Sequence, residues 1–341
     1  MSAYIATDKY SAMLRRKGVD LEQRRVLVSS FTGSAQEKDL TDPPNCSGLG
    51  RVRHFRRLSS SWPNNPLPID PAQRALGLDP SDSFNAQVFQ NSVCNWRCWY
   101  CFVPYELLEG REENGVWASA KDLVDLYLAE PAETRPAMID LTGGQPDLVP
   151  EWVPWMMQEL SDRGLQDKVY LWSDDNLSND YFWRFLTDDQ RALIRTFKGY
   201  GRVACFKGFD AASFSFNTKA SPELFDRQFE LFARLLELGI DLYAYTTFTA
   251  SSSVGIDGAM AKFVDRLQAL DENLPLRTVP LKIGIFGVVK ERLTKLKLIN
   301  GGDAVANQQT AIDAWTRELE RRFSLADRSR NIADVPLRSR R

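Results

Sequence analysis

The segment Cys94-Asn-Trp-Arg-Cys98-Trp-Tyr-Cys101 places three thiols within eight residues. It lies between a β-rich run at residues 86–91 and a helical pattern that begins at Ser119. Soft thiolate ligands favour zinc, cuprous copper or an iron–sulfur cluster. A structural zinc site normally has four protein ligands, and the sequence contains no second Cys-x2-Cys pair. The segment therefore predicts a metal-binding loop that leaves one metal position open.

From about residue 86 onward, short β-rich runs alternate with helical patterns, which is typical of βα units on a parallel sheet. Six strands are predicted, at residues 86–91, 137–141, 168–173, 202–206, 240–248 and 277–286. Active sites of parallel α/β barrels lie at the carboxyl ends of the strands. We therefore predict an α/β fold, a partial (β/α)6 barrel of the TIM type, with the cysteine loop at its mouth.

The helical patterns between the strands carry start and stop signals. Ser119 and Asp122 have the spacing of a capping box, and Ser221 is a predicted N-cap with Pro222 in the first helical position. An apolar stripe follows at Phe225, Phe229, Phe232 and Leu236, and Gly239 ends this helix. Further helices are predicted at residues 151–163, 178–195 with a break near Thr187, 258–270 and 303–323.

The first 85 residues differ from the rest of the chain. Seven of the 17 prolines fall between Pro43 and Pro80, which predicts a mostly irregular segment with at most a short helix at residues 11–17. This extension could cover the barrel mouth. The predicted domains are an extension at 1–85, the barrel at 86–300, a helix at 301–325 and a disordered basic tail at 326–341.

Composition restricts the class of protein. The 341 residues contain 43 Lys plus Arg and 45 Asp plus Glu, a net charge of -2, so no global charge favours nucleic acid or an anionic membrane. No stretch approaches the roughly 20 apolar residues of a membrane span, and the first 25 residues are too charged for a signal peptide. Five cysteines, an odd number, fit a secreted disulfide framework poorly. We expect a cytoplasmic protein.

A second motif, Thr142-Gly143-Gly144-Gln145-Pro146, follows the second predicted strand. Glycines at such a position allow a ligand to lie against the backbone. This loop and the cysteine loop, with Tyr100 directly before the last cysteine, resemble the radical SAM superfamily. That family has a C-x3-C-x-aromatic-C loop after the first strand and a GGEP loop after the second. The resemblance covers about residues 86–290.

The resemblance implies the cofactors and the reaction. Cys94, Cys98 and Cys101 would hold a 4Fe-4S cluster, whose open iron binds S-adenosylmethionine. The reduced cluster would cleave this cofactor to a 5'-deoxyadenosyl radical, which abstracts hydrogen from the substrate. A flavodoxin or ferredoxin would supply the electron.

The resemblance also implies residues that bind the cofactor. Gly143, Gly144 and Gln145 would hold the methionyl ammonium, although Gln145 offers a neutral carbonyl where the family has a carboxylate. Tyr100 would lie beside the adenine.

Two further strand ends carry polar residues. The fourth strand ends Cys205-Phe-Lys207, which resembles the Asp-x-Lys strand end of glycyl-radical activating enzymes. Lys207 is therefore the candidate catalytic residue, able to bind the cofactor carboxylate or the substrate. The third strand ends Ser173-Asp174-Asp175-Asn176, and Ser173 and Asp174 are candidates for cofactor binding.

Several alternatives remain open from the sequence. The substrate is either a small molecule or nucleotide, or a protein backbone as in glycyl-radical activation. A zinc site completed by Cys46, Cys205 or His54 would instead predict a non-enzymatic interaction protein. Cys46 and Cys205 are otherwise expected to be inert buried thiols. The arginine-rich stretch at residues 51–57 is either a solvated basic face or an anion site for phosphate or carboxylate.

Overall fold

Parallel strands connected by helices form the centre of the fold. The computed structural model describes residues 4–58, 62–295 and 301–337. The strands in this part of the chain are β1 Val19–Asp20, β2 Arg25–Ser29, β3 Gly50–Arg56, β4 Ser83–Gln90, β5 Gly115–Ser119, β6 Met138–Thr142, β7 Tyr170–Asp175, β8 Tyr200–Phe206, β9 Asp241–Thr247 and β10 Thr278–Leu281. The α-helices are α1 Thr7–Gly18, α2 Ile69–Leu76, α3 Ala120–Ala129, α4 Trp152–Asp162, α5 Tyr181–Phe185, α6 Asp188–Thr196, α7 Ala211–Thr218, α8 Leu224–Leu236, α9 Ile256–Leu270, α10 Gly287–Lys295, α11 Gly301–Arg322 and α12 Leu325–Arg328.

The main sheet has seven strands in the order β10-β9-β8-β7-β6-β4-β3 and curls into a half-barrel. Strands β4 and β6 to β10 are parallel, and they correspond to the six predicted strands. Strand β3 pairs antiparallel with β4, with Arg51 opposite Val88 and Arg53 opposite Ala86. The α/β class and the partial barrel are thus confirmed, whereas the seventh strand comes from the segment that we expected to be irregular.

The two faces of the main sheet have different environments, because successive side chains of a strand point to opposite faces. Phe55, Ala86, Met138 and Trp172 belong to a cluster that fills the inner face. The outer face packs against the helices, and Phe206 there contacts the aromatic stripe of α8. The inner face is therefore the part of the sheet that can surround a ligand.

The amino-terminal segment is more regular than predicted. Helix α1 begins four residues before the expected start at Ser11, and β1, β2 and β5 form a separate three-stranded sheet. Helix α2 and the residues before it pack on the inner cluster at the amino ends of the strands, where the Tyr245 hydroxyl donates to the Leu67 carbonyl at 3.0 Å. Helix α2 therefore closes the amino ends of the strands, at the end of the barrel opposite the mouth.

Most predicted helix boundaries agree with the structure. The capping box of α3 is present, since Ser119 Oγ accepts from the Asp122 amide at 3.1 Å. The predicted break at Thr187 separates α5 from α6, and Thr187 caps the second helix. Helix α8 differs, because Ser221 is part of a preceding turn and makes no side-chain cap. Helices α2, α7, α10 and α12 have no counterpart among the predicted ones.

The segment after α11 also differs from the expected disordered tail. Ile332 and Ala333 are buried, and Arg277 donates to the Ala333 carbonyl at 3.0 Å. Ile332 packs at the edge of the inner cluster, which anchors the chain as far as residue 337. Residues 338–341, which carry the last three arginines of the predicted tail, lie outside the described part. No described helix is long and apolar enough to cross a membrane.

Candidate active site

The cysteine loop follows β4 at the carboxyl end of the parallel strands. Cys94, Cys98 and Cys101 are all free and partly exposed. The Cys101 amide donates to the Cys98 carbonyl at 3.0 Å, which folds the loop into a turn. Asn176, which directly follows β7, places its side-chain amide nitrogen 3.9 Å from the Cys94 sulfur. The structure thus brings all three predicted ligands to the barrel mouth.

Helix α1 supports the first half of this loop. The Asn95 side-chain amide donates to Ser11 Oγ at 2.8 Å, and the Trp96 indole donates to Thr7 Oγ1 at 3.3 Å. Both Asn95 and Trp96 are buried. A helix of the amino-terminal extension is therefore part of the support of the cysteine loop.

Arg292 of α10 supports the second half, and the sequence analysis did not identify it. Its buried guanidinium donates to the carbonyls of Trp99 at 3.0 Å, of Cys101, and of Val103 at 2.9 Å. Trp99 is also fixed by Asn217, whose Oδ1 accepts from the indole at 3.1 Å. Nothing in the sequence near residue 292 distinguishes this arginine from a surface arginine, because its partners are about 190 residues away.

The glycine loop, residues 142–146, packs directly against Asn91 and Val93, which lead from β4 into the cysteine loop and form its root. A Cβ at Gly144 would lie 2.4 Å from the Val93 carbonyl oxygen and 2.5 Å from that of Asn91. Gly143 has a φ of +89°, which disfavours any side chain. The Gln145 amide donates to the Val93 carbonyl at 2.7 Å. The glycines are therefore required by the contact between the two loops, whereas we expected contact with a ligand.

The Gln145 side chain bonds within the protein. Its Nε2 donates to Asp175 Oδ1 at 2.7 Å, and its Oε1 accepts from the backbone amide of Asn176 at 2.8 Å. Asp175 also accepts from the buried Arg202 at 2.9 Å, and Arg202 pairs with Asp147 in addition. The hydrogen bonds that we expected from Gln145 to a cofactor are thus made to β7 instead.

Ser173 does not face the barrel interior. Its hydroxyl pairs with the Tyr200 hydroxyl at 2.7 Å on the outer face of the sheet. Asp174 is the next residue and lies on the inner face, where it accepts from Thr142 Oγ1. Because neighbouring residues of a strand point to opposite faces, only one of the two candidates can contribute to an interior site. The structure selects Asp174.

Lys207 lies at the end of β8 among the cysteines. Burial lowers the pKa of its ammonium, but interaction with the thiolate forms of Cys205, Cys98 and Cys94 and the phenolate form of Tyr100 raises it above its usual value. The Tyr100 hydroxyl lies 3.3 Å from Thr247 Oγ1 across the mouth. Lys207 therefore provides a fixed positive charge beside the cysteine loop.

The thiols suit a metal cluster in their chemistry. Burial raises the pKa of Cys98 to about 12 and also raises that of Cys94, although Lys207 opposes the shift at both, so both thiols would stay protonated at neutral pH until a metal binds. Metal binding removes such protons. In the described residues, no three Cys, His, Asp or Glu side chains are grouped to hold a single metal ion. A 4Fe-4S cluster distributes its cysteine ligands over different irons, so this loop fits a cluster.

Cys46 and Cys205 are separate from the loop in different ways. Cys46 is buried against α3, where its amide donates to Glu130 Oε1 at 2.8 Å. Cys205 is buried on the inner face below Lys207, and burial raises its pKa to about 12. Their environments fit the predicted inert thiols.

A large groove on the described surface lies elsewhere. It has a volume of about 1280 Å³ and is formed by α1, α5 and α8, with Arg15, Phe185 and Arg227 in its lining. It contains none of the candidate site residues. Its size therefore does not identify the site; the chemistry of the mouth does.

No protein-family model and no curated protein matches the chain. Among solved structures, it is similar to SuiB of Streptococcus suis bound to S-adenosylmethionine, with 17% identity and a TM-score of 0.38 over 52% of this chain and 36% of that chain. SuiB bound to the precursor peptide SuiA has 13% identity and a TM-score of 0.37 over 61% of this chain and 50% of that chain. This chain thus spans between about a third and a half of those chains. A likeness this distant does not establish family membership.

Gln145→Glu should destabilise the protein in a pH-dependent way. The introduced carboxyl would face Asp175, which now accepts from the amide, so we expect a loss of about 2 kcal/mol in the free energy of unfolding at pH 8. Burial and Asp175 would raise the pKa of this carboxyl in the folded state, so the loss should shrink as the pH falls through that pKa. Gln145→Leu should cost a similar amount at every pH. Urea unfolding between pH 5 and 8 measures both.

Gln158→Glu is the matched control for this prediction, because Gln158 donates to Asp162 on an exposed helix face. Its effect should be small at every pH. A loss in Gln145→Glu that does not depend on pH would contradict the proposed contact with Asp175.

Arg292→Met should loosen the cysteine loop. Three carbonyls would lose a charged donor, which we expect to cost about 2 kcal/mol of unfolding free energy. Amide hydrogen exchange should become faster in residues 94–108 and stay unchanged in β6. Lys290→Met, on an exposed position of the same helix, is the control. Unchanged exchange in the cysteine loop would show that Arg292 does not support it.

Proposed function

We propose that this chain is a radical SAM enzyme in which Cys94, Cys98 and Cys101 hold a 4Fe-4S cluster. One observation carries the proposal. Three free thiols stand on one loop at the carboxyl end of the first parallel strand, beside the ammonium of Lys207. Such a loop supplies three ligands, and a fourth position stays available for a cofactor.

When bound, the cluster and S-adenosylmethionine supply a one-electron cleavage that generates a 5'-deoxyadenosyl radical. The residues of the chain bind and orient the reactants. Lys207 provides a point charge for the carboxylate of the cofactor or of the substrate. Asp174, held by Thr142, provides acceptor oxygens on the same inner face for donors such as an ammonium or a ribose hydroxyl.

The glycine loop has a supporting role in this proposal. Gly143 and Gly144 allow the loop to lie against the root of the cysteine loop, and Gln145 ties both loops to β7. Displacement of either loop would move the other. Cofactor contacts from this region would then come from backbone groups of residues 142–144 rather than from the Gln145 side chain.

In this proposal the substrate would bind on the inner face of the barrel, at the end that carries the cysteine loop. Helix α2 closes the amino ends of the strands, and aromatic side chains such as Tyr170, Trp172 and Tyr243 fill that end. A substrate would enter from the mouth, next to the cysteine loop. Exclusion of water there would protect a reactive radical from side reactions. These features support a small molecule or nucleotide as the substrate.

A reduced flavodoxin or ferredoxin would supply the electron, and the cytoplasm would provide such donors. The alternative substrate, a protein backbone as in glycyl-radical activation, is favoured by the position of Lys207 at the end of β8. The two substrate classes are distinguished by whether 5'-deoxyadenosine formation is stimulated by small metabolites or only by a protein fraction.

The anaerobically reconstituted protein should contain iron and sulfide and should release 5'-deoxyadenosine and methionine from S-adenosylmethionine under dithionite. Cys98→Ala should lose both properties, because one cluster ligand is removed. Cys46→Ala and Cys205→Ala should keep the iron. Chemical analysis and anaerobic chromatography of the products provide the measurements. If the wild type forms no more 5'-deoxyadenosine than Cys98→Ala, the proposed reaction is wrong.

Lys207→Met should weaken the binding of S-adenosylmethionine about tenfold or more, because a buried carboxylate would lose its charged partner. The iron content should be unchanged. Lys198→Met is a control at an exposed position before β8. Calorimetric titration of the reconstituted proteins gives the affinities. Equal affinity for all three proteins would leave the substrate as the only partner of Lys207.

A further inference from the structure

The arginine-rich stretch on β3 is divided by the alternation of the strand. Arg51 and Arg53 pair with Val88 and Ala86 of β4, and both guanidinium groups lie near Asp140 of β6 on the inner face. Arg56, at the end of the strand, is exposed. Two arginines of this stretch therefore belong to the barrel interior, and a solvated basic face describes only Arg56, since Arg57 pairs with Asp70 and Asp82.

Arg51 is a buried cation for which no ion pair is seen among the described residues. Only 9% of its surface is exposed, and its buried Nε has no hydrogen-bond partner in the described structure. It lies over the rings of Phe31 at 5.8 Å and Phe102 at 5.6 Å. A guanidinium has five donors, and a buried charge without a partner is costly. The position of Arg51 therefore requires a reason other than stability.

Arg53 adds a second guanidinium to the inner face. Its guanidinium lies 4.2 Å from the Phe55 ring centroid and 3.6 Å from Asp140 Oδ2, too far for a hydrogen bond. Burial lowers the pKa of Arg51, the charge of Arg53 lowers it further, and Asp140 offsets only part of this effect. The inner face here carries two guanidinium groups and the carboxyls of Asp140 and Asp174, both of which interact with Arg53 rather than forming an ion pair with Arg51.

Two further buried side chains near the arginines, the neutral Gln90 and the acidic Asp140, also lack hydrogen-bond partners. Both amide atoms of the fully buried Gln90 and both carboxylate oxygens of the fully buried Asp140 make no hydrogen bond within the described structure. Gln90 follows Val88 by two residues on β4, on the same face, and lies against Gly143. Unsatisfied groups of both donor and acceptor type thus converge where the arginines end.

We propose that Arg51 and Arg53 bind an oxyanion of the substrate, a carboxylate or phosphate, with the Gln90 amide as a neutral donor. The substrate part of this inference rests on the proposed function. Arginine forks match both anions, and Asp140 accepts from a donor next to the anion. Since Phe102 directly follows Cys101, an anion on Arg51 would hold the rest of the substrate beside the cysteine loop.

Titration calorimetry of the full chain, with and without reconstituted cluster, tests the site. The probes are inorganic phosphate and glutarate at constant ionic strength. We expect one of them to bind and to raise the melting temperature. Arg51→Gln should weaken this binding by at least about tenfold, and Arg53→Gln should weaken it as well. Arg56→Gln, on the same strand, should bind as the wild type does. Absence of binding by the wild type for both probes would overturn the proposal.

A third probe, S-adenosylmethionine, distinguishes the source of the anion. If Arg51→Gln binds this cofactor as the wild type does, the anion belongs to the substrate. An equal loss of cofactor affinity would assign Arg51 to the methionyl carboxylate and overturn the substrate assignment. Loss of iron from Arg51→Gln would assign it to the cluster and also overturn it. If phosphate or glutarate binds to a protein that never cleaves the cofactor, the anion site stands and the proposed function fails.

Discussion

The close contact between the cysteine loop and the glycine loop determines the geometry of the whole mouth. Gly144 has no space for a side chain because the carbonyls of Asn91 and Val93 lie against it. The Val93 carbonyl also accepts from the Gln145 amide. Two adjacent parallel strands can bring their following loops this close only if one loop lacks side chains. The three thiols, Asp174 and Lys207 are all positioned relative to this contact.

The residue after the glycines follows from its surroundings. Asp147 and Asp175 share the single guanidinium of Arg202 in a buried network, and Gln145 donates to Asp175. A glutamate, as in the GGEP pattern, would add a third carboxylate around one arginine. An amide satisfies Asp175 without added charge. The departure from the pattern is therefore explained by the electrostatics of the neighbouring loop, whatever the cofactor.

The sequence predicted the parallel strands and most of the helices because each has its own periodic pattern. Capping residues such as Ser119 and Thr187 are local signals, and both are confirmed. Strand β3 was not predicted, since a run containing Arg51 and Arg53 is typical of a surface. Arg51 and Arg53 pair with Val88 and Ala86 of β4, which are distant in sequence, so only the structure shows this pairing. Partners distant in sequence, as for Arg292, leave no local pattern to read.

The candidate site shows the same division. The cysteine loop, Asp174 and Lys207 could be located from strand ends alone, because the carboxyl ends of parallel strands meet at one edge. Ser173 could not be separated from Asp174 without the register of β7, which decides the face of each. The position of the glycines was predicted from the sequence, and the structure adds a packing reason for them that the sequence did not indicate, the carbonyls of Asn91 and Val93 against Gly144. A sequence shows that a residue has no side chain, whereas only the structure shows what occupies the space.

The barrel interior also changes in character along its axis. Tyrosine and tryptophan side chains fill the end covered by α2, and charged groups collect toward the thiols. Charges interact more strongly in a buried site than in water, and an unpaired charge there is costly. A protein that needed only stability would have apolar side chains at Arg51, Gln90 and Asp140. The buried Nε of Arg51, both amide atoms of Gln90 and both carboxyl oxygens of Asp140 lack hydrogen-bond partners within the described structure, and this cost is the physical basis of the oxyanion site that we propose.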